Sequence, residues 1–194
     1  MIGKVKTRIT VVLLSTLGIS YPAVFAITEK QAKKQGYEVA TLAGGCFWCT
    51  ESDLEKQAGV VEVVSGYSGG TKDNPTYKQV ASGKTNYIET VNVYYNPKIV
   101  RYEQILDQFF RHIDPTDDKG SFVDRGPQYR PAVFYRNEQQ KQVAQQFIEQ
   151  IDELGIYKKP LKTELIEFTK FWPAENLSLL HITRVAEPFE IVVI

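Results

Sequence analysis

The chain carries no excess charge of either sign: 23 Lys and Arg balance 23 Asp and Glu over 194 residues. That balance excludes a strongly basic nucleic-acid surface or a polybasic membrane patch. Cysteine is scarce, with two residues, and so is histidine, again with two. A disulfide framework for a small secreted domain takes four or more cysteines. Cys46 and Cys49 are also too close in sequence to staple distant elements. A structural zinc takes four ligands, and beyond the cysteines only His112 and His181 remain, each read as an ordinary core or surface residue. There is no internal repeat, no low-complexity tract, no Rossmann glycine fingerprint, and no apolar run of the roughly 20 residues that a bilayer span needs.

What is present fits one compact domain behind a targeting segment. Hydrophobic residues make up 43% and charged residues 24%, ordinary for a soluble protein with a sizeable core. Residues 1–26 hold Lys4, Lys6 and Arg8 and no acid, then an apolar stretch from Ile9 to Ile19, then the small-residue exit Ala23-Val24-Phe25-Ala26. This reads as a secretory signal peptide cleaved after Ala26, which places the mature chain in the periplasm or outside the cell. Two cysteines spaced C-x-x-C in an exported protein suggest redox work, with a bystander local disulfide as the plainer alternative.

Hydrophobic periodicity predicts alternating strands and helices. Strands are expected over Tyr37–Leu42, Val60–Tyr67, Tyr87–Tyr95, Ala132–Tyr135 and Thr163–Phe168. Helices are expected over Cys46–Ala58, Tyr102–His112 and Glu138–Leu154, and Asn74-Pro75-Thr76-Tyr77 reads as a turn or helix start. Asp114–Pro131, rich in Asp, Gly and Pro and without periodicity, reads as a long loop of the kind that is functional or disordered. The fold class that follows is α+β or α/β, and the expectation is α+β, a two-layer sandwich with a mixed β-sheet and packed helices. The expected organisation is a signal peptide (1–26), an N-terminal lead-in (27–39), a main folded domain (40–176) and an atypical C-terminal tail (177–194).

Gly44-Gly45-Cys46 places a thiol directly after a glycine turn, at the start of a helix. Free N–H groups and the helix dipole favour an anion there, so the expectation is a lowered thiol pKa and a thiolate near neutral pH. Cys49 falls on the same face of the first turn, where it could attack an oxidised Cys46 and close a strained, easily reduced disulfide. C-x-x-C by itself is shared with thioredoxin-like folds and with half of many zinc sites.

Gly44-Gly45-Cys46-Phe47-Trp48-Cys49-Thr50-Glu51 resembles the G-C-F-W signature of the A-type peptide-methionine sulfoxide reductases. Ser65-Gly66-Tyr67-Ser68-Gly69-Gly70, Asn74-Pro75-Thr76-Tyr77, Ser82-Gly83 with Glu89, His112-Ile113-Asp114-Pro115-Thr116-Asp117, Asp124-Arg125-Gly126 with Gln128-Tyr129-Arg130, and Phe171-Trp172-Pro173-Ala174-Glu175 continue the resemblance in order. It runs from about Ala40 to Glu175.

The resemblance implies thiol-dependent reduction of methionine S-sulfoxide, free or in proteins, for repair of oxidised proteins under oxidative stress. Cys46 would attack the sulfoxide sulfur, and Phe47 and Trp48 would pocket the substrate's ε-methyl group. Glu89 would protonate the departing oxygen, Tyr77 and Tyr129 would donate hydrogen bonds to it, and Asp124 would order the site. Cys49 would resolve the sulfenic acid, since many family members use a cysteine near the C-terminus and this chain has none there. The expected electron donor is a thioredoxin-type protein, with no cofactor, no metal, no nucleic-acid partner, no membrane attachment after signal cleavage, and a monomeric state.

Two departures stand out. The family usually shows Gly-His before the Glu89 segment, where this chain has Asn86-Tyr87, which would alter packing near the acid without removing it. After Glu175-Asn176 the family continues with Tyr-His and a polar, aromatic tail, whereas Leu177-Ser178-Leu179-Leu180 leads here to an apolar end, Phe189–Ile194. Codons for Asn-Tyr-His-Tyr-Tyr with one inserted T read Asn-Leu-Ser-Leu-Leu, so a frameshifted end is the expectation. The competing readings are a general thiol–disulfide oxidoreductase and a degenerate member that only binds oxidised peptides.

Overall fold

The computed structural model describes residues 27–175; the expected signal peptide, the tail and His181 lie outside the described residues. The elements in chain order are α1 (Glu29–Lys34), β1 (Glu38–Ala43), α2 (Phe47–Leu54), β2 (Val60–Ser68), α3 (Tyr77–Ala81), β3 (Ile88–Tyr95), α4 (Tyr102–Phe110), β4 (Gly120–Ser121), β5 (Asp124–Arg125), β6 (Ala132–Tyr135), α5 (Glu138–Glu153), β7 (Glu164–Glu167) and β8 (Phe171–Pro173). Six strands form one sheet in the order β7-β6-β1-β3-β2-β8. Only β6 and β7 run parallel; the other neighbours are antiparallel. The fold is α+β with a mixed sheet.

β3 lies at the centre and all eight of its residues are buried. Its alternation therefore separates two buried faces rather than a core face from a wet one. Val91, Val93 and Tyr95 point to the larger core, joined by Ala40 and Leu42 of β1, Val63 and Tyr67 of β2, and Val133 of β6. Leu54 of α2, Ile105, Leu106 and Phe109 of α4, and Ala144 of α5 cover this face as the second layer. The opposite face carries a smaller cluster of Ala43, Ile88, Ala132 and Phe134 with Ile166 and Phe168 against it. There Thr41 donates to Asn92 at 2.7 Å, Arg136 donates to both, and the Arg136 guanidinium sits 3.7 Å above the Phe168 ring.

Three stretches differ from the sequence expectation for physical reasons. The stretch 114–131 is not structureless: it holds the β4–β5 hairpin and a short 3-10 turn, Pro127–Tyr129. Strands of two residues leave no periodicity to read. The lead-in contains α1, fixed by a capping box in which Thr28 and Gln31 satisfy each other's backbone N–H groups. β8 was also not expected, being three residues long and ending in proline, which an edge strand tolerates.

Candidate active site

Gly44 and Gly45 connect β1 to α2 under tight constraint. A Cβ on Gly44 would lie 2.3 Å from Ile113 Cγ2, so α4 and its following turn approach the bare backbone. Gly45 has φ +109°, outside the range side chains adopt readily, and a Cβ there would meet Ser121 Cβ at 2.7 Å. These contacts fix the turn that delivers Cys46 to the N-cap of α2. Its carbonyl accepts from the Cys49 and Thr50 N–H groups at 3.1 Å each, starting the helix. Both cysteines are free thiols; Cys46 is half-buried and Cys49 is exposed on the first turn.

The expectation of a lowered Cys46 pKa is corrected by its surroundings. Burial pushes the thiol up to about 11, with the Cys49 and Glu89 charges adding to the rise, and the helix N–H groups offset only part of it. A helix end lowers a thiol pKa when water also reaches the sulfur. Here the half-buried position of the sulfur outweighs the helix end.

Glu89 stands on β3 directly across from Tyr67 of β2, on the face that α2 covers. It is 2% exposed, not a solvated residue of an alternating strand. One oxygen, Oε2, accepts from the Phe47 N–H at 3.2 Å, at the first turn of the cysteine helix. The other, Oε1, is buried and has no hydrogen-bond partner. Burial raises its pKa to about 7 and Asp124 adds to the rise, against the Phe47 hydrogen bond. Glu89 is therefore a carboxyl that holds a proton near neutral pH beside a protonated thiol.

Phe47, Trp48, Tyr67 and Tyr77 pack as one aromatic group. The Phe47 ring lies 5.1 Å from Trp48, 5.9 Å from Tyr67 and 6.2 Å from Tyr77, and Trp48 lies 5.7 Å from Tyr77. Phe47 is buried and forms the floor, while the half-buried Trp48 and Tyr77 form the open walls. Tyr77 and Tyr129 both feel the Glu89 charge, and their hydroxyls stay protonated: burial and Glu89 raise Tyr77, and push Tyr129 up to about 12. Asp124, on β5, acts on Glu89, Tyr77 and Tyr129 alike, and Cys46 acts on Tyr77, so these five groups lie within electrostatic reach of one another.

Three contributors were missed. Glu175 receives the Tyr77 N–H at 3.0 Å and the Tyr67 hydroxyl at 3.3 Å, so it ties the start of α3 to β2 beneath the aromatic group. Tyr67 was given no role in the site, and its register opposite Glu89 was invisible without the pairing. Ser121 sits buried against Gly45. The Asn86-Tyr87 departure is local: the Tyr87 ring packs over Gly70 and its hydroxyl donates to the Lys72 carbonyl, leaving Glu89 in place.

Fold and site together define an α+β protein of the cysteine-dependent redox class, with a thiol at a helix start, a protonated buried acid and an aromatic wall. Residues 38–184 match the family model described as peptide methionine sulfoxide reductase. The chain belongs to the peptide methionine sulfoxide reductase family. It is 72% identical over 140 residues to the Vibrio cholerae peptide methionine sulfoxide reductase MsrA/MsrB, an alignment covering 72% of this chain and 37% of that protein. The chain thus matches little more than a third of that longer relative. Against Staphylococcus aureus peptide methionine sulfoxide reductase MsrA 2 it is 48% identical over 139 residues, 72% of this chain and 78% of the relative. Among solved structures it resembles reduced Mxr1 of Saccharomyces cerevisiae with a TM-score of 0.72 and 28% identity, covering 81% of this chain and 91% of that one. The same yeast protein, solved in complex with Trx2, shares the fold with a TM-score of 0.55 at 22% identity over 75% and 86% of the two chains.

Proposed function

We propose that the chain reduces methionine S-sulfoxide to methionine, with Cys46 as nucleophile, Glu89 as acid and Cys49 as resolving thiol. The observation that carries this reading is the buried, unpartnered Glu89 Oε1 beside Cys46, on a carboxyl raised to about 7. A sulfoxide oxygen is a good acceptor for the proton such a group holds.

In the first step Glu89 gives its proton to the sulfoxide oxygen while the Cys46 sulfur attacks the substrate sulfur. The thiol proton returns to Glu89, the oxygen passes to Cys46 as a sulfenic acid, and the methionine thioether leaves. One thiol and one sulfoxide become one sulfenic acid and one thioether, with two electrons moved from Cys46 to the substrate. Tyr77 and Tyr129 hold the oxygen, and Asp124 keeps Glu89 protonated. In the second step Cys49 attacks the Cys46 sulfenic sulfur, the S–S bond forms and water leaves. A thioredoxin-type dithiol then reduces the disulfide. The sulfur's oxygen faces Glu89, its methyl faces Trp48 and Tyr77, and its third substituent continues the chain, so one hand at sulfur suits the site. The family resemblance makes that hand S.

Residues 1–26 support export of the chain to the periplasm or beyond, and in that setting its reductant is a thioredoxin-like protein of the same compartment. A single turnover of reduced protein without added reductant tests the chemistry. Mass spectrometry is expected to show about one methionine formed per chain and a Cys46–Cys49 disulfide, two mass units lighter than the dithiol. A Cys49→Ser variant is expected to stop at the trapped Cys46 sulfenic acid. Methionine formed with both thiols still free would contradict the proposal.

A further inference from the structure

Gln128 is the residue of the 3-10 turn Pro127–Tyr129 that is withdrawn from water, at 4% exposed. A glutamine is seldom buried unless its amide is used. Its Nε2 donates to the carbonyl of Ala81, the last residue of α3, at 3.2 Å. Swapping nitrogen and oxygen would set Oε1 against that carbonyl oxygen, so the orientation of the amide is fixed. Bare backbone makes room for it: a Cβ on Gly126 would lie 2.5 Å from Oε1, and one on Gly83 3.2 Å from it. Oε1 itself is buried and accepts from nothing among the described residues. The buried amide therefore acts as a donor, and Nε2 has a second N–H to place.

These contacts join two elements that each carry a tyrosine of the site. α3 has five residues, too few to hold a helix unaided, so its position depends on what grips its ends. Glu175 accepts the Tyr77 N–H at the start of α3, and Gln128 donates to the carbonyl at its end. The 3-10 turn is itself tied to the sheet, since Arg130 donates to the Pro127 carbonyl at 2.7 Å and to Glu164 of β7 at 2.9 Å. Tyr129 follows Gln128 directly. Burial and Glu89 raise its pKa, and a hydrogen bond from the Gln128 side chain works against that rise. An N–H donated to the phenol oxygen leaves the Tyr129 proton free for another acceptor.

We propose that Gln128 is a positioning residue whose amide N–H groups, shared between the Ala81 carbonyl and the Tyr129 hydroxyl, set Tyr77 and Tyr129 against one substrate oxygen. This rests on the sulfoxide reductase reading and adds the residue that aligns its two hydroxyl donors. The oxygen gains charge as the S–O bond breaks. Misaligned donors therefore cost more in the transition state than in the bound substrate, and the loss falls on kcat rather than KM.

The test is steady-state consumption of methionine S-sulfoxide with dithiothreitol. Gln128→Met keeps the length of the side chain without its N–H groups, and kcat is expected to fall about tenfold with KM within about twofold. Gln128→Glu, which puts an acceptor where the amide donates, is the second variant should methionine loosen the fold, and it is expected to lose at least as much. The deciding measurement repeats Gln128→Met in a Tyr129→Phe background. There its further cost in kcat is expected to shrink to about threefold or less, because part of the effect runs through the missing hydroxyl. An undiminished tenfold loss in that background would make Gln128 a packing residue and overturn the proposal. Unchanged kcat in Gln128→Met, or a loss confined to KM, would overturn it as well. Wild-type protein that leaves the sulfoxide unconsumed would instead overturn the reductase reading, and this proposal with it.

Discussion

Glu89 carries its proton to about pH 7 because burial disfavours the carboxylate, and this couples the chemistry and the stability of the fold to the same titration. As an acid it works while protonated, so kcat/KM is expected to fall as pH rises through about 7. Glu89→Gln removes the donor, and turnover is expected to drop about 10²- to 10⁴-fold with the limb lost. Stability falls in the same direction. The folded pKa lies above the unfolded one, so the folded chain binds the extra proton and stability declines as pH rises from about 4.5 through about 7. Glu89→Gln, neutral at every pH, is expected to be more stable than wild type at pH 8 by about 1–3 kcal/mol and to show no such gain at pH 4. Thermal unfolding at the two pH values checks it, and equal differences at both would contradict a buried, titrating carboxyl. At this scale the thiol at the helix start and the Phe47-Trp48 pair beside it were legible in the motif, since they are neighbours in sequence. The rise of the thiol pKa was not, because it depends on how far the fold buries the sulfur, which a local motif does not carry.

The elements that aim the site are short and held by backbone contacts. Gly44 lets Ile113 and Phe109 reach the β1–α2 turn, so Gly44→Ala places a Cβ 2.3 Å from Ile113 Cγ2. The expected cost is about 1–3 kcal/mol, read as a lower urea midpoint with unchanged slope. Glu175 holds the five-residue α3 to β2, and α3 carries Tyr77 into the aromatic wall. Glu175→Ala is expected to raise KM about five- to tenfold with a smaller change in kcat, a split that steady-state kinetics with dithiothreitol will show. A loss confined to kcat would place Glu175 in the chemistry instead. β1, β2, β3 and β6 were readable to within a residue or two because their apolar runs are long enough to show a period. The hairpin, α1 and β8 were not, since two- to six-residue elements are stabilised by tertiary contacts and caps rather than by pattern.

For the whole molecule, one sheet binds two cores and the site lies where β1, β3, α2 and the hairpin meet. Residues 38–184 carry the family match, and the basic, then apolar, stretch ahead of it supports export. Expression of the full chain in a Gram-negative host is expected to yield a periplasmic form beginning at Ile27, identified by its N-terminal mass; a cytosolic form retaining Met1 would contradict export. The order of motifs made the family legible over most of the chain. Which walls meet was not legible, since Cys46, Glu89, Asp124 and Glu175 are brought together by tertiary contacts between elements distant in sequence.

The most direct measurement is turnover of the two methionine sulfoxide epimers, separated by chromatography, with protein lacking residues 1–26 and with dithiothreitol. The account predicts that the S epimer alone is consumed and that Cys46→Ser abolishes its loss. Consumption of both epimers at equal rates, or turnover that survives Cys46→Ser, would contradict it.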